Sequence, residues 1–340
     1  MKTRAIKRII GIGGIGKGFM FAFSDNTPLG RNESRMAALL PVRDYCKLHI
    51  VFHYLGVLLS PEVRVIPVGL VGDDADGRAL LKQMRDAGLE TDRVFVSPDK
   101  PTMLSACFQY PDKCGGNITA SNSACEDVTA AFLKPVLEEL KLNEEDCVVA
   151  LPEVPLEAGL YLLKKGREAG ALTAACCNPD EMEAFSEGGG PALTDLLALN
   201  QEEAARLANM ESVNTASDAL KAESVIRQMA PGITLWLTLG AEGALLANQA
   251  GWSFYPSLKN LRVANTGGAG DASLAGLLAG MAKGLPLRES AGAPPDGLPA
   301  RSAGELATLC AGMSVECGDS IDESINWNSL AEMRRRQAAH

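Results

Sequence analysis

Histidine is scarce here, with three residues in a chain of 340, and none of the nine cysteines falls in a C-x-x-C pair. A metal centre built on these residues is therefore not expected. His49 and His53 stand four apart, but Ile-Val-Phe lies between them without the glutamate of a zinc protease, so both read as packing or surface residues. Basic residues are also in deficit: 32 Lys and Arg against 42 Asp and Glu give a net charge of −10. That balance argues against nucleic acid or an anionic membrane as the main partner. No apolar run approaches the roughly 18 residues that span a bilayer. The basic N-terminus (Lys2, Arg4, Lys7, Arg8) has its apolar run broken by Gly11, Gly13 and Gly14, so no signal peptide is expected. Scattered cysteines, odd in number and with no export signal, point to reduced thiols and a cytoplasmic protein. Internal repeats and an interdomain linker are both missing, so residues 1–340 read as one α/β domain.

What is present centres on Asn265-Thr-Gly-Gly-Ala-Gly-Asp271-Ala-Ser273. Leu274, Leu277, Leu278 and Met281 follow at helical spacing, and Gly284 and Pro286 end the run. The glycine-rich turn thus opens a helix, where main-chain N–H groups lack partners and the dipole is positive. Glycines let an anion approach those groups closely. Asp271 beside such a pocket suits phosphoryl transfer to an alcohol: amides hold the moving charge and a carboxylate orients the hydroxyl and takes its proton. A capping acid after a tight turn is the bland alternative. The helix N-terminus also predicts a low pKa for Asp271.

Along the chain, Ala5 to Ile12 reads as a buried strand leading into Gly11-Ile-Gly-Gly-Ile-Gly16-Lys17-Gly18. Gly11, Gly13 and Gly16 fit G-x-G-x-x-G, but the aromatic, Pro-terminated FMFAFSDNTP follows where a dinucleotide fold needs a helix. The same run nearly fits a P-loop, with Gly18 in place of Ser or Thr. A glycine turn passed closely by a ligand or another segment is the better reading, and a nicotinamide-dependent oxidoreductase is a distant third. After Leu29-Gly-Arg-Asn-Glu33, a helical region through about Leu40 and a helix from Arg43 to Leu59 are expected. Val63–Val68 is a strand. Asp73, Asp74 and Asp76 read as an acidic helix cap, because the closing Glu of a calcium loop is missing. A hairpin spans Thr102 to Ala120. Strands and helices then alternate to Leu239, which implies a parallel sheet with helices on both faces. An antiparallel pair at Ala244–Ala247 and Trp252–Tyr255, a Pro/Gly/Ala-rich loop at Ala291–Arg301 and a helix at Glu305–Val315 complete the pattern. The tail from Arg334 is expected to fray.

Together these stretches resemble the ribokinase-like (PfkB) carbohydrate kinase family from about Lys7 to about Trp327. NTGGAGDAS is similar to that family's D-T-x-G-A-G-D-x-F. VGLVGDDADGRALLKQMRDAGLETDRV, LGRNESRMA, Asn200-Gln-Glu-Glu203 and Leu237-Thr-Leu-Gly-Ala-Glu-Gly243 resemble its other motifs, and Glu153 and Asn178-Pro179 fall where the family has "E-x-P" and "N-P". The resemblance implies a mostly parallel sheet, helices on both faces and a small β lid from segments 19–30 and 102–120. It implies an ATP- and Mg²⁺-dependent kinase acting on a sugar, nucleoside or related polyol. Asp271 would be the base, with the amides of Gly268, Ala269 and Gly270 as anion hole. Gly30, Asn32, Asn117 and Glu153 would bind the acceptor. Asn200, Thr238, Gly240, Gly243 and Thr266 would bind nucleotide, with Glu203 near the metal through water. A homodimer through the lid is plausible on the same grounds.

The departures are specific. Asn265 replaces the usual Asp and Gly267 a polar residue, which weakens the expectation of a monovalent cation there. The acid that grips sugar hydroxyls after the first strand is absent, with Asp25 a candidate substitute. These changes leave open a second class: a catalytically weak or inactive relative that binds sugar or nucleotide as a regulator.

Overall fold

The computed structural model describes residues 5–112, 114–288 and 293–338. Lys2, Arg4, the Lys113 of the expected hairpin turn and residues 291–292 of the expected loop lie outside them.

The first third of the chain comprises β1 (Arg8–Ile12), β2 (Gly16–Ala22), β3 (Ala38–Leu39), β4 (Asp44–Tyr45), α1 (Lys47–Leu59), β5 (Arg64–Pro67), β6 (Gly69–Gly72) and α2 (Ala75–Asp86). Next come β7 (Val94–Ser97), β8 (Met103–Gln109), β9 (Gly115–Thr119), α3 (Ala130–Leu140), β10 (Asp146–Ala150), α4 (Leu156–Glu168) and β11 (Leu172–Ala175). Then follow α5 (Met182–Glu187), α6 (Gly190–Leu193), β12 (Leu196–Leu199), α7 (Gln201–Leu207), α8 (Ala216–Met229) and β13 (Thr234–Thr238). The last part holds β14 (Gly243–Asn248), β15 (Gly251–Pro256), α9 (Ala269–Ala282), α10 (Ala303–Ser314) and α11 (Trp327–Ala338).

The main sheet has eight strands in the order β15-β14-β13-β12-β11-β10-β1-β5. From β13 to β5 every neighbour pair is parallel; β14 and β15 are antiparallel. The strands are near-continuous apolar runs because helices cover both faces. RIIGI in β1, for instance, is buried from Ile9 to Ile12. Helices α1, α9 and α10 pack on one face, and α9 is buried on nearly every side from Ala272 to Met281. A second sheet, β3-β2-β8-β9 with β4 also on β2, forms the lid.

Three expectations fail. No helix follows Glu33: residues 34–37 are irregular, and Ala38–Leu39 pair with Phe21–Ala22 at the lid edge. The next helix begins at Lys47, because Asp44 and Tyr45 pair with Gly18 and Lys17 of β2. The tail from Arg334 is helical as far as Ala338. It continues α11, which buries Leu330 and Met333 and bonds Glu305 through Arg334. In each case tertiary pairing overrides a local pattern that could go either way.

Candidate active site

The C-terminal ends of β1, β10, β11, β12 and β13 meet at one edge of the sheet, the usual location of a site in an open parallel sheet. The N-termini of α1 and α9 come to the same edge. Gly268 caps α9 with a left-handed φ of 82°. A Cβ there would stand 3.2 Å from the carbonyl carbon of Ser320, and closer still to its oxygen, so only glycine fits. Gly270 has nothing within 4 Å of a Cβ position, so its outer face is open.

The donors of this turn are mostly uncommitted. Ala269 makes one long bond of 3.4 Å to the Thr266 carbonyl, and Gly267 donates to Asn265 Oδ1 at 2.9 Å. Among the described residues, the N–H groups of Gly268, Gly270 and Asp271 have no acceptor in the protein. Asn265 also donates to the Gly318 carbonyl, so its carboxamide is a brace for the turn.

Asp271 lies in the first turn of α9 and is partly buried. Its pKa is raised, which overturns the low value expected from its helix position. Burial is the largest cause; the Lys47 ammonium opposes it and the Asp44 carboxylate adds to it. Lys47 is the first residue of α1. Its backbone N–H donates to Glu153 Oε2 at 2.9 Å. Burial works against its charge, but the carboxylates of Asp271, Glu203 and Glu153 outweigh it and hold the pKa well above the ordinary lysine value. Glu153 sits at a left-handed φ of 73°, and burial pushes its carboxyl up to about 7 against the Lys47 N–H and ammonium.

A scan against family models matches the pfkB family of carbohydrate kinases over residues 51–327. The chain belongs to that family. Among curated proteins, this pfkB chain is 26% identical over 234 residues to the ribokinase of Schizosaccharomyces pombe, covering 67% of this chain and 70% of that one. It is 25% identical over 274 residues to the bifunctional protein HldE of Pelobacter propionicus, covering 76% of this chain and about half, 49%, of that longer protein. Among solved structures, the nucleoside kinase of Burkholderia thailandensis in complex with inosine aligns with a TM-score of 0.76 at 17% identity, covering 98% and 99% of the two chains. The ribokinase of Arabidopsis thaliana with ribose and ATP aligns at 0.72 and 16%, covering 97% and 99%. The fold is thus the ribokinase-like α/β architecture with its β lid.

Within this pfkB-family chain the remaining candidates divide. Asn200 and Glu203 form a reciprocal cap on α7: Glu203 N–H donates to Asn200 Oδ1 at 2.9 Å and Asn200 N–H to Glu203 Oε2 at 2.8 Å. Glu203 is buried, with its pKa raised first by that burial. Thr238 ends β13, Gly240 lies in the turn after it, Gly243 opens β14, and Thr266 is exposed at the entry to the turn. Gly30, Asn32 and Asn117 are all exposed in or beside the lid. Asn32 lies in the loop before β3 with a left-handed φ of 62°, and the first long helix opens at Lys47. Asp25 is engaged with Arg35 at 2.7 Å on the lid. Asp44 lies over Gly18, where a Cβ would stand 3.1 Å from its own, and it accepts from the Cys107 thiol at 3.1 Å.

The sequence reading missed Lys47 and Asp44. One signal was available for Lys47. It is the only charged residue of KLHIVFHYLGVLL, and it stands at the helix N-terminus, where the dipole disfavours a cation. The glycines after β1 serve packing. Gly13 and Gly16 leave room for Leu151 and Met103, and the turn enters β2 instead of a helix, so the dinucleotide arrangement lacks its helix. Among the described residues no group of three His, Cys, Asp or Glu could hold a metal, no disulfide joins the cysteines, and no helix is long and apolar enough to cross a membrane.

Proposed function

We propose that this chain transfers the γ-phosphoryl group of ATP to an alcohol hydroxyl of a sugar, nucleoside or related small polyol. The observation that carries the reading is the set of free N–H groups at Gly268, Gly270 and Asp271 beside a partly buried carboxylate. In the transfer, the bond from the γ-phosphorus to the bridging oxygen breaks and its electron pair leaves with ADP. The acceptor oxygen bonds to phosphorus, and its proton passes to Asp271. The amides of Gly268 to Gly270 hold the charge of the phosphoryl oxygens as it moves. Burial keeps Asp271 more basic than an ordinary carboxylate, so proton transfer as well as orientation falls to it. Glu153, fixed on the α1 N-terminus, holds the acceptor with Gly30, Asn32 and Asn117 as lid contacts. Asn200, Thr238, Gly240, Gly243 and Thr266 line the nucleotide side.

Magnesium fits this donor set only as a guest of the nucleotide. Glu203 spends Oε2 on its helix cap and keeps Oε1 for a metal-bound water, in line with the preference of Mg²⁺ for phosphates and water. When bound, the ion would supply positive charge that neutralises the nucleotide phosphates. Asn265, neutral and already committed at both ends, offers no charge to a monovalent cation.

A thermal-shift screen of sugars and nucleosides with an ATP analogue tests the reading, since a ligand at about 100 times its Kd adds about 2.7 kcal/mol. Turnover of a responding compound supports it; nucleotide binding without turnover of any compound leaves a binding protein instead. A homodimer through the lid is part of the proposal. Phe19, Ala106 and Ile118 stand opposite one another across β2, β8 and β9, all exposed, as an apolar row that a second copy would cover. A monomer by light scattering at working concentration removes that element.

A further inference from the structure

We propose that Lys47 is a catalytic cation whose ammonium binds the γ-phosphoryl oxygens of the nucleotide and stays on them during transfer. The proposal rests on the kinase reading above and adds a residue to it.

Three observations lead there. The first is location. Lys47 opens α1, which packs against α9, and its backbone holds the Glu153 carboxylate at 2.9 Å. Its charge is felt by Asp271 on α9, Glu203 on α7 and Glu153 after β10. Asp271 stands on the acceptor side and Glu203 on the nucleotide side. The ground between them, in front of the Gly268–Gly270 amides, is where a phosphoryl group must pass.

The second is an unspent charge. Among the described residues the Lys47 ammonium forms no ion pair and no hydrogen bond, although the side chain is mostly covered. The lid's Lys17, by contrast, is paired with Asp76 at 2.6 Å, and Lys283 with Glu62 at 2.6 Å. A covered cation without a direct partner is costly unless a ligand completes it.

The third is that the placement breaks a local rule. A cation at a helix N-terminus opposes the dipole, in a helix otherwise free of charge. Such a violation marks a functional position more often than an error. The electrostatic need is plain. Asp271, Glu203 and Glu153 act on the Lys47 charge and Asp44 acts on Asp271, so the surroundings of the proposed phosphate path are acidic. One ammonium relieves that repulsion, stays protonated throughout, and moves no proton.

The test uses the full chain and two nucleotides that differ at the third phosphate. Affinities of MgAMP-PNP and MgADP are measured by calorimetry for wild type, Lys47→Met, Lys47→Gln and Lys47→Arg. A charge-assisted contact to the γ-phosphoryl predicts that Met and Gln weaken AMP-PNP roughly 10- to 100-fold, with ADP held within about twofold and Arg recovering part of the loss. A structural role, in which Lys47 merely balances nearby carboxylates, moves both nucleotides together. That result overturns the proposal, as does an unchanged AMP-PNP affinity. Wild type binding neither nucleotide removes the kinase reading itself, which separates the two failures. Lys47→Gln serves if the Met variant does not fold.

Discussion

Gly14→Ala is the sharpest perturbation of the acceptor side. Gly14 is not in the left-handed region, so alanine suits its backbone. The added methyl, however, would stand 2.6 Å from Glu153 Cβ and closer still to Oε2. Glu153 cannot yield by rotating its carboxylate alone, since its Cβ is also in the way. It must shift by something near an ångström, and its bond to the Lys47 N–H is then lost. A hydrogen bond to a charged group contributes about 1.5–3 kcal/mol. Against that, alanine narrows the unfolded ensemble by about 0.4–1 kcal/mol. The net expectation is a destabilisation of about 1–2 kcal/mol, or a fall in Tm of roughly 2–6 °C. Urea melts at pH 8 measure it. The decisive comparison is the same substitution in a Glu153→Gly background, where both the carboxylate and the Cβ are gone and the left-handed φ of 73° suits glycine. There Gly14→Ala should be neutral or mildly stabilising. An equal loss in both backgrounds would refute the proposed collision, and with it the account of how Glu153 is held.

Asp271→Asn should lower turnover roughly 10²- to 10⁴-fold while nucleotide still binds in calorimetry; full activity in the variant ends the base assignment. Because burial raises the Asp271 pKa, kcat/KM in the wild type should fall as pH drops through a value above the usual carboxylate range; an acid limb at or below that range contradicts it. Gly268→Ala forces a left-handed alanine against the Ser320 carbonyl, a strain of about 1–3 kcal/mol, and should abolish phosphoryl transfer; retained activity would show that the turn is not the anion hole. His49 is fully buried with neither nitrogen bonded, and burial pulls its pKa from 6.5 to about 3. Its folded pKa is depressed, so the neutral ring favours folding above pH 6.5, and this contribution is lost as pH falls toward 3, about 3 kcal/mol between pH 6.5 and 4. Urea melts across that range should steepen with acid in wild type and lose this slope in His49→Phe.

The sequence by itself determined the frame. Apolar runs such as RIIGI and LLAL can only be strands buried on both faces, and their alternation with helical stripes gives a parallel sheet. The Gly-Gly-Ala-Gly-Asp turn could be read as a helix start with free donors because that property is local: it depends on which residues lack an i−4 partner and which lack a Cβ. Segments whose conformation depends on distant partners were not legible. Residues 34–45 carry a pattern compatible with helix, yet their short strands form because β2 offers an edge. The tail from Arg334 is helical because Leu330 and Met333 find the core. The charge state of Asp271 went the same way. Position in a helix is local and argued for a low pKa, but desolvation depends on what α1, β10 and the lid bring over it, and that is fixed only when the chain closes. Lys47 gained its meaning in that closure, which set it among carboxylates from three separate parts of the chain.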